Sequence, residues 1–330
     1  MLKKDRLERT IAKMKEKDIP QMLVSDQYAL YYLLDKTFVF GERMGALYIN
    51  VDGTVHFVLN KLFPQVEDLG VEITYYDDVE DGVEILSRFV DKEKTMGIDK
   101  TWPARFVLRL QELGAGSSFV NNACVIDKVR QVKGEDEHKI MKESALKIDQ
   151  VMDKLIPWVA KGLTEIELNQ KTAELCKEVG FSGMSFDPIT AYGKGGADPH
   201  HITDNSKGKH GDSVVLDIGG MWKGYASDIT RTVFIGEVSE RQKQIYNIVL
   251  EANKRGIAAA KPGNKMSDVD KAARDYITEQ GFGEYFTHRT GHSIGLEDVR
   301  IEDILYITED GCEVLNEYPK DEIIVVPDGE

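Results

Sequence analysis

The chain has 330 residues, of which 42% are hydrophobic and 30% are charged, a composition typical of globular proteins rather than of disordered or membrane-embedded chains. The formal net charge of -15 argues against a nucleic-acid partner, because a phosphate backbone would be repelled. No stretch approaches the ~20 apolar residues that a membrane-spanning helix needs, so we expect no membrane partner.

The chain is longer than one hydrophobic core usually organises, so we expect two domains. Its cysteines, Cys124, Cys176 and Cys312, are an odd number without C-x-x-C spacing, which argues against a disulfide scaffold or a zinc knuckle. The first residues are rich in lysine, but they are not followed by the apolar run of a secretory signal. These features predict a cytoplasmic protein.

The first half of the chain alternates short apolar runs with helical periods. Leu7, Ile11 and Met14 predict one face of an amphipathic N-terminal helix, and the following QMLVS predicts a strand. The run ALYINVDGTVHFVLN predicts two strands joined at Asp52-Gly53, a dipeptide that favours a tight hairpin.

Two more strands are predicted at residues 71–75 and 96–98, with a helix over residues 83–90 between them. These elements predict a small α/β domain over residues 1–125. Most of the histidines lie in the second half of the chain, so we expect the chemistry there.

Helices dominate the start of the second domain, which we place at residues 126–330. An apolar stripe with helical spacing begins after Gly134. Capping boxes at Thr164 with Glu167 and at Ser239 with Gln242 predict two further helix starts. A last helix is predicted at residues 267–280, after the breaker Pro-Gly pair.

The segment SVVLDIGGMWKGYASDITRTVF carries two carboxylates that suggest a site. Asp217 follows one apolar run and Asp228 precedes another, and a hairpin turning near Trp222-Lys223-Gly224 would place the two aspartates almost opposite each other. Facing carboxylates repel unless a cation lies between them. Solvent-exposed strand ends are the ordinary alternative, but an aspartate beside three consecutive apolar residues is not expected to face bulk water.

His292 in GHSIG and Glu302 in VRIED supply the other donor types that divalent metals accept, an imidazole and a further carboxylate. Taken alone, His292 is typical of a turn and Glu302 of a charged surface. The set of four, Asp217, Asp228, His292 and Glu302, is what predicts a metal site.

The motifs GKGGADPHH, LDIGG, YASDITRT, HRTGHSIG and VRIED, in this order, resemble those of the metallopeptidase family that contains Xaa-Pro dipeptidase (prolidase), aminopeptidase P, methionine aminopeptidase and creatinase. The likeness extends over essentially the whole chain. It implies an α+β fold class: a C-terminal pita-bread domain with a curved antiparallel sheet, preceded by a small α/β creatinase-type N-terminal domain.

The resemblance also implies a role for individual residues. Asp217 and His292 match ligands of one metal each, whereas Asp228 and Glu302 match carboxylates that bridge two divalent metal ions, which would be Mn, Co, Zn or Fe. His200 matches a histidine that helps to position the substrate or to stabilise the tetrahedral intermediate. Arg300 matches an arginine that can hold the substrate carboxylate. The resemblance thus implies His200 as a catalytic residue, and Arg300 and His200 as substrate-binding residues.

His201 and His288 remain open between a structural role and support of the ligands. The implied activity is metal-dependent hydrolysis of the Xaa-Pro bond in dipeptides or short peptides, and the implied assembly is a homodimer. Two alternatives are a creatinase-like C–N hydrolase that works without metal, which the intact ligand set disfavours, and a non-catalytic pita-bread protein that binds peptides or proteins.

The sequence departs from the family between Asp298 and Val299. Relatives follow GHxIGLE with a His-Glu loop and a strand that ends in Glu-Pro-Gly, which supply a second active-site histidine and a fifth metal ligand; here Asp298 runs directly into Val299. Three explanations are open: a deletion variant with impaired catalysis, a printed sequence that omits a segment of the full protein, or a non-catalytic member. If the glutamate is absent, the second metal should bind more weakly.

Overall fold

The protein is described by a computed structural model that covers residues 1–65, 67–198, 201–292, 294 and 303–328. It divides into two compact units, residues 1–133 and 134–330. The expected domain boundary at residue 125 lies within the last helix of the first unit. None of the helices in the described ranges is both long enough and apolar enough to cross a membrane.

The first unit is a six-stranded mixed sheet with five helices among its described residues. Its elements are α1 (Lys4–Glu16), β1 (Gln21–Val24), α2 (Gln27–Leu34), β2 (Ala46–Asn50), β3 (Val55–Asn60), β4 (Glu72–Tyr76), α3 (Gly82–Leu86), β5 (Thr95–Ile98), α4 (Ala104–Glu112), β6 (Ser118–Asn121) and α5 (Ala123–Gln131). The strand order is β4-β3-β2-β1-β5-β6. Strands β1, β2 and β3 pair antiparallel, and the other neighbours pair parallel.

The predicted hairpin is confirmed, because β2 and β3 pair through a turn at Asp52-Gly53 in which Gly53 has φ 97°. The N-terminal helix is confirmed as α1, but its most buried face differs from the prediction. Arg6, Thr10 and Met14 are buried, whereas Leu7 and Ile11 are only half-buried. The reason is that the guanidinium of Arg6 donates to the backbone carbonyl of Tyr32 in α2 and stacks over the ring of the same tyrosine.

The helix predicted over residues 83–90 is shorter in the structure, where α3 ends at Leu86. The chain turns after it, and the ring of Phe89 stacks on His56 of β3 at a centroid distance of 3.7 Å. Tertiary packing therefore overrides the local helical pattern.

The second unit begins with two long helices and continues with a sheet and two more helices. Its elements are α6 (Glu135–Val159), α7 (Glu165–Val179), β7 (Ile189–Tyr192), β8 (Ser213–Ile218), β9 (Met221–Trp222), β10 (Tyr225–Ala226), β11 (Ile229–Ile235), α8 (Glu240–Ala259), α9 (Met266–Glu279), β12 (Leu305–Ile307), β13 (Cys312–Val314) and β14 (Ile324–Val326). The main sheet has the order β14-β11-β8-β7, with β14 parallel to β11 and the other pairs antiparallel.

The helix starts of this unit follow the sequence pattern. The side chain of Thr164 caps α7 and accepts from the backbone N–H of Glu167, and Ser239 caps α8 in the same way with Gln242, so both predicted capping boxes are confirmed. The stripe after Gly134 forms α6. The last predicted helix is α9, within one residue at each end.

The main core of the second unit lies between the sheet and helices α6 and α7. Alternate residues of β8 and β11 supply the sheet side of this core: Val214, Leu216, Ile218, Ile229, Val233 and Ile235. Because side chains alternate along a strand, the residues between them face the other side of the sheet. A smaller apolar cluster joins α8 to α9.

Candidate metal centre

The two predicted aspartates lie on one continuous hairpin. Asp217 of β8 is opposite Thr230 of β11, and Ile218 is opposite Ile229, so Asp228 lies one diagonal step from Asp217. The hairpin turns at Lys223-Gly224, whose φ angles of 49° and 80° match the tight turn that suits the strand twist. The predicted hairpin is therefore confirmed, with the aspartates staggered by two positions rather than directly opposed.

Strand alternation places both carboxylates on the sheet face away from the α6/α7 core. Leu216 and Ile229 point into that core, so their neighbours Asp217 and Asp228 point to the opposite face. Both are nonetheless buried, with 4% and 1% of their surfaces exposed. Burial of a carboxylate is costly unless compensating charge or hydrogen bonds surround it.

Glycines let the rest of the unit close around this hairpin. A Cβ on Gly219 would lie 2.1 Å from Ser185 Oγ and 2.2 Å from the carbonyl oxygen of Ser227. A Cβ on Gly220 would meet the ring of Phe181 at 2.6 Å. The LDIGG motif thus combines a carboxylate with two positions at which a Cβ would clash with neighbouring atoms.

The third predicted ligand approaches the second aspartate. The imidazole Nε2 of His292 is 3.8 Å from Oδ2 of Asp228, and 14% of the His292 side chain is exposed. His292 follows Gly291, whose φ of 80° belongs to the left-handed region that favours glycine. The structure therefore brings together Asp228 and His292, with Asp217 on the same face of the hairpin.

Three predicted functional residues lie outside the described residues: His200, Arg300 and Glu302. The joint between Asp298 and Val299 also falls outside them. Within the ranges that the structure does describe, no group of three or more His, Cys, Asp or Glu side chains is arranged to hold a metal ion. The donor set of two buried carboxylates and a nearby imidazole suits a divalent cation in its chemistry.

A buried ion network adjoins Glu302 in sequence. Asp303, whose side chain is 2% exposed, accepts from Arg231 of β11 at 2.9 Å and is also paired with Lys320. The Arg231 guanidinium donates in addition to the carbonyl oxygens of Tyr318 and Pro319. The residue after Glu302 is thus tied to the strand that begins directly after Asp228. This ion pair was not predicted, although the charges of TRT and RIED are visible in the sequence.

His201 and His288, whose roles were left open by the sequence, lie in different surroundings. His201 contacts the buried Glu165 of α7, with Nε2 2.8 Å from Oε2. His288 is exposed; its carbonyl oxygen accepts from Arg274 of α9, and its ring Nδ1 lies 2.9 Å from the carbonyl oxygen of Arg289. His201, the last residue of the PHH motif, thus bonds a buried carboxylate, whereas these contacts of His288 are exposed.

Comparison with known proteins adds to this geometry. Residues 139–317 match the profile of metallopeptidase family M24, and residues 6–132 match the creatinase/prolidase N-terminal domain. The chain belongs to metallopeptidase family M24. The resemblance drawn from the motifs is confirmed, and so is the fold class, a pita-bread domain preceded by a creatinase-type domain.

Individual relatives share most of the length of this family member. It is 32% identical to the Xaa-Pro dipeptidase of Pyrococcus furiosus over 297 residues, which cover 89% of this chain and 83% of the relative. Its fold matches the crystal structure of a prolidase from Thermococcus sibiricus with a TM-score of 0.89 and 28% identity, over 99% of this chain and 100% of that one.

A third relative comes from Staphylococcus aureus. An uncharacterised peptidase of Staphylococcus aureus is 31% identical over 320 residues, which cover 84% of this chain and 89% of the relative. Because 84% of a 330-residue chain is fewer than 320 residues, the alignment includes positions at which this chain has no residue. The Staphylococcus peptidase therefore has positions without a counterpart in this M24 chain.

Proposed function

We propose that this M24 protein hydrolyses the Xaa-Pro bond of dipeptides or short peptides, with a water molecule activated at two divalent metal ions. The observation that carries the proposal is the β8–β11 hairpin, which buries Asp217 and Asp228 on one face while His292 approaches Asp228. The names of the Pyrococcus and Thermococcus relatives support the same substrate class.

In this proposal the chain's own side chains hold the metals. Asp217 and Asp228 supply negative charge in a buried position, His292 supplies a neutral imidazole nitrogen, and Glu302 supplies a further carboxylate. Bound divalent ions lower the pKa of a water molecule and polarise a carbonyl group. The hairpin fixes the spacing of the two aspartates, because each is one residue from a side chain buried in the α6/α7 core.

Substrate orientation is assigned to residues of the neighbouring motifs. His200 would contact the peptide next to the scissile bond and Arg300 would hold the substrate carboxylate. A proline amide nitrogen is tertiary and has no N–H to donate, so a site that recognises it needs contacts to other groups of the substrate. We further propose a cytoplasmic homodimer, with manganese among the candidate metals.

The direct test is a peptidase assay on protein stripped of metal and then supplied with Mn²⁺, Co²⁺ or Zn²⁺. We expect release of proline from Leu-Pro and Ala-Pro only when metal is added, and no cleavage of Leu-Ala. The variant Asp228→Asn should lose the activity while its circular dichroism spectrum is unchanged. Absence of cleavage by the wild-type protein with every metal would contradict the proposal.

A second candidate function is a peptide-binding protein with little or no catalysis. It is favoured by the direct joint of Asp298 to Val299. Equilibrium binding of Leu-Pro without turnover, unaffected by Asp228→Asn, would support this alternative. Binding of one metal ion per chain instead of two would show that the second metal position is weakened.

A further inference from the structure

Helix α9 carries a bidentate ion pair. Asp270 and Arg274 are four residues apart, and the carboxylate accepts two parallel bonds, from Nε at 2.8 Å and from Nη2 at 3.0 Å. About a quarter of the Asp270 side chain and a third of the Arg274 side chain are exposed. The two planar groups match as a fork, which fixes their orientation more tightly than a single contact does.

The same two side chains also form hydrogen bonds to the backbone of the loop that follows the helix. Asp270 Oδ1 accepts the backbone N–H of Thr290 at 2.7 Å, and Arg274 donates to the carbonyl oxygens of Phe286 and His288, each at 2.7 Å. The guanidinium also lies 4.6 Å from the centre of the Phe286 ring. We call Asp270 and Arg274 the α9 clamp.

These bonds are of the stronger kind, because each joins an ionised group to a backbone group. The Arg274 guanidinium lowers the pKa of the Asp270 carboxyl to about 2, with help from the N–H of Thr290. The α9 clamp is therefore fully charged at neutral pH. It holds the loop at three points, at residues 286, 288 and 290.

The loop leads directly to the imidazole of the candidate metal centre. His292 lies two residues after Thr290, and Gly291 between them has φ 80°. Its Nε2 is 3.8 Å from Asp228 on the hairpin. Because the backbone is held at Thr290, only Gly291 lies between the held position and His292.

We propose that Asp270 and Arg274 are positioning residues, which hold His292 at the distance from Asp228 that metal binding requires. This inference rests on the proposed metal centre. Neither residue touches the metal or the substrate; both act through the backbone of residues 286–290. Groups that fix the orientation of a metal-binding histidine commonly change metal affinity by about 10- to 100-fold when they are removed.

Helix α9 also offers a matched control. Lys271 and Asp275 form an ion pair with the same spacing, one residue further along, and their side chains are 70% and 51% exposed. The variant Asp275→Asn thus removes the same charge from the same helix. Any effect of Asp270→Asn that Asp275→Asn reproduces comes from the helix and not from the clamp.

The first measurement uses the metal-free protein and does not depend on the proposed function. In protein with ¹³C-labelled histidine, the His292 imidazole signal is assigned with His292→Gln. We expect this signal to shift or split in Asp270→Asn and in Arg274→Lys, which retains the charge but has three N–H donors for the four bonds that the guanidinium makes. An unchanged His292 signal in both folded variants would overturn the inference.

The second measurement is calorimetric titration with Mn²⁺. We expect Asp270→Asn and Arg274→Lys to weaken Mn²⁺ binding by about 10- to 100-fold, and Asp275→Asn to leave it unchanged. In a His292→Ala background, Asp270→Asn should cause no additional loss, because the clamp acts through that imidazole. Additive losses would overturn the inference, whereas a wild-type protein that binds no metal would instead overturn the proposed function.

Discussion

Buried carboxylates of this protein accept hydrogen bonds from the backbone N–H groups of distant segments and so hold those segments in place. Glu165, at the start of α7, is 1% exposed and accepts the N–H groups of Tyr192 and Asp204 at 3.0 and 2.9 Å, together with the contact to His201. A single carboxylate thus links the end of β7 to the segment after the PHH motif.

Replacing Glu165 with alanine should remove these acceptors and leave the buried N–H of Tyr192 and the part-buried N–H of Asp204 without them. We expect the free energy of unfolding to fall by about 2 to 4 kcal/mol, because each buried donor that loses its acceptor costs about 1 to 3 kcal/mol. Glu165→Gln, which keeps one acceptor oxygen, should lose less. Urea denaturation measures both, and an alanine variant as stable as the wild-type protein would contradict the interpretation.

In the first unit, Asp99 accepts the N–H groups of Ser25 and Asp26. Burial raises the pKa of its carboxyl to about 6, against these two hydrogen bonds, which lower it. The folded state therefore holds a proton that the unfolded state releases above about pH 4. Stability contributed by this group is present below pH 4 and is lost as the pH rises to 6 and above.

The variant Asp99→Asn keeps an oxygen that can accept both N–H groups but cannot ionise. Its unfolding free energy, relative to that of the wild-type protein, should increase between pH 4 and pH 7 by up to about 3 kcal/mol. Urea denaturation at the two pH values measures this difference. If the difference between the two proteins does not depend on pH, Asp99 is not the group that carries the raised pKa.

The sequence shows which chemically important residue types are present, but it does not show which groups they contact in the folded protein. Asp217, Asp228 and His292 stand out because they interrupt apolar or glycine-rich motifs. Glu165 and Asp270 do not, because an acidic residue in the first turns of a helix is ordinary on electrostatic grounds. Their roles depend on loops far along the chain, and only the folded structure shows which backbone groups they meet.

The elements that carry the site are set by strong local signals. The turn at Lys223-Gly224 and the capping residues of α7 and α8 are readable from the sequence, since each depends on residues within a few positions. The buried face of α1 is not, because Arg6 is buried by contacts with the distant Tyr32. Register also required the structure, which staggers Asp217 and Asp228.

The hairpin is closely packed at Gly219. Gly219→Ala would place a Cβ against Ser185 Oγ and the backbone of Ser227, so we expect a loss of about 1 to 3 kcal/mol in unfolding free energy. Gly183→Ala is the matched control, since nothing lies within 4 Å of its Cβ position. Thermal denaturation measures both, and equal stability of the two variants would contradict the packing argument.

For the whole molecule, motif order along the chain indicated the family and the fold class, and the profile matches confirm both. The assignments of His200, Arg300 and Glu302 stay predictions, because these residues lie outside the described ranges. The weaker second metal expected from the Asp298-Val299 joint also stays a prediction. It depends on whether the remaining ligands still converge, which is a property of the folded second unit and not of any one motif.

We propose that the second unit gathers buried carboxylates and an imidazole around a divalent cation. Calorimetric titration of the metal-free protein with Mn²⁺ tests this metal site, with Asp228→Asn as the variant and the exposed Asp321→Asn as the control. We expect saturable binding by the wild-type and control proteins and none by Asp228→Asn. Equal Mn²⁺ binding by all three folded proteins, or binding by none of them with Mn²⁺, Co²⁺ or Zn²⁺, would contradict it.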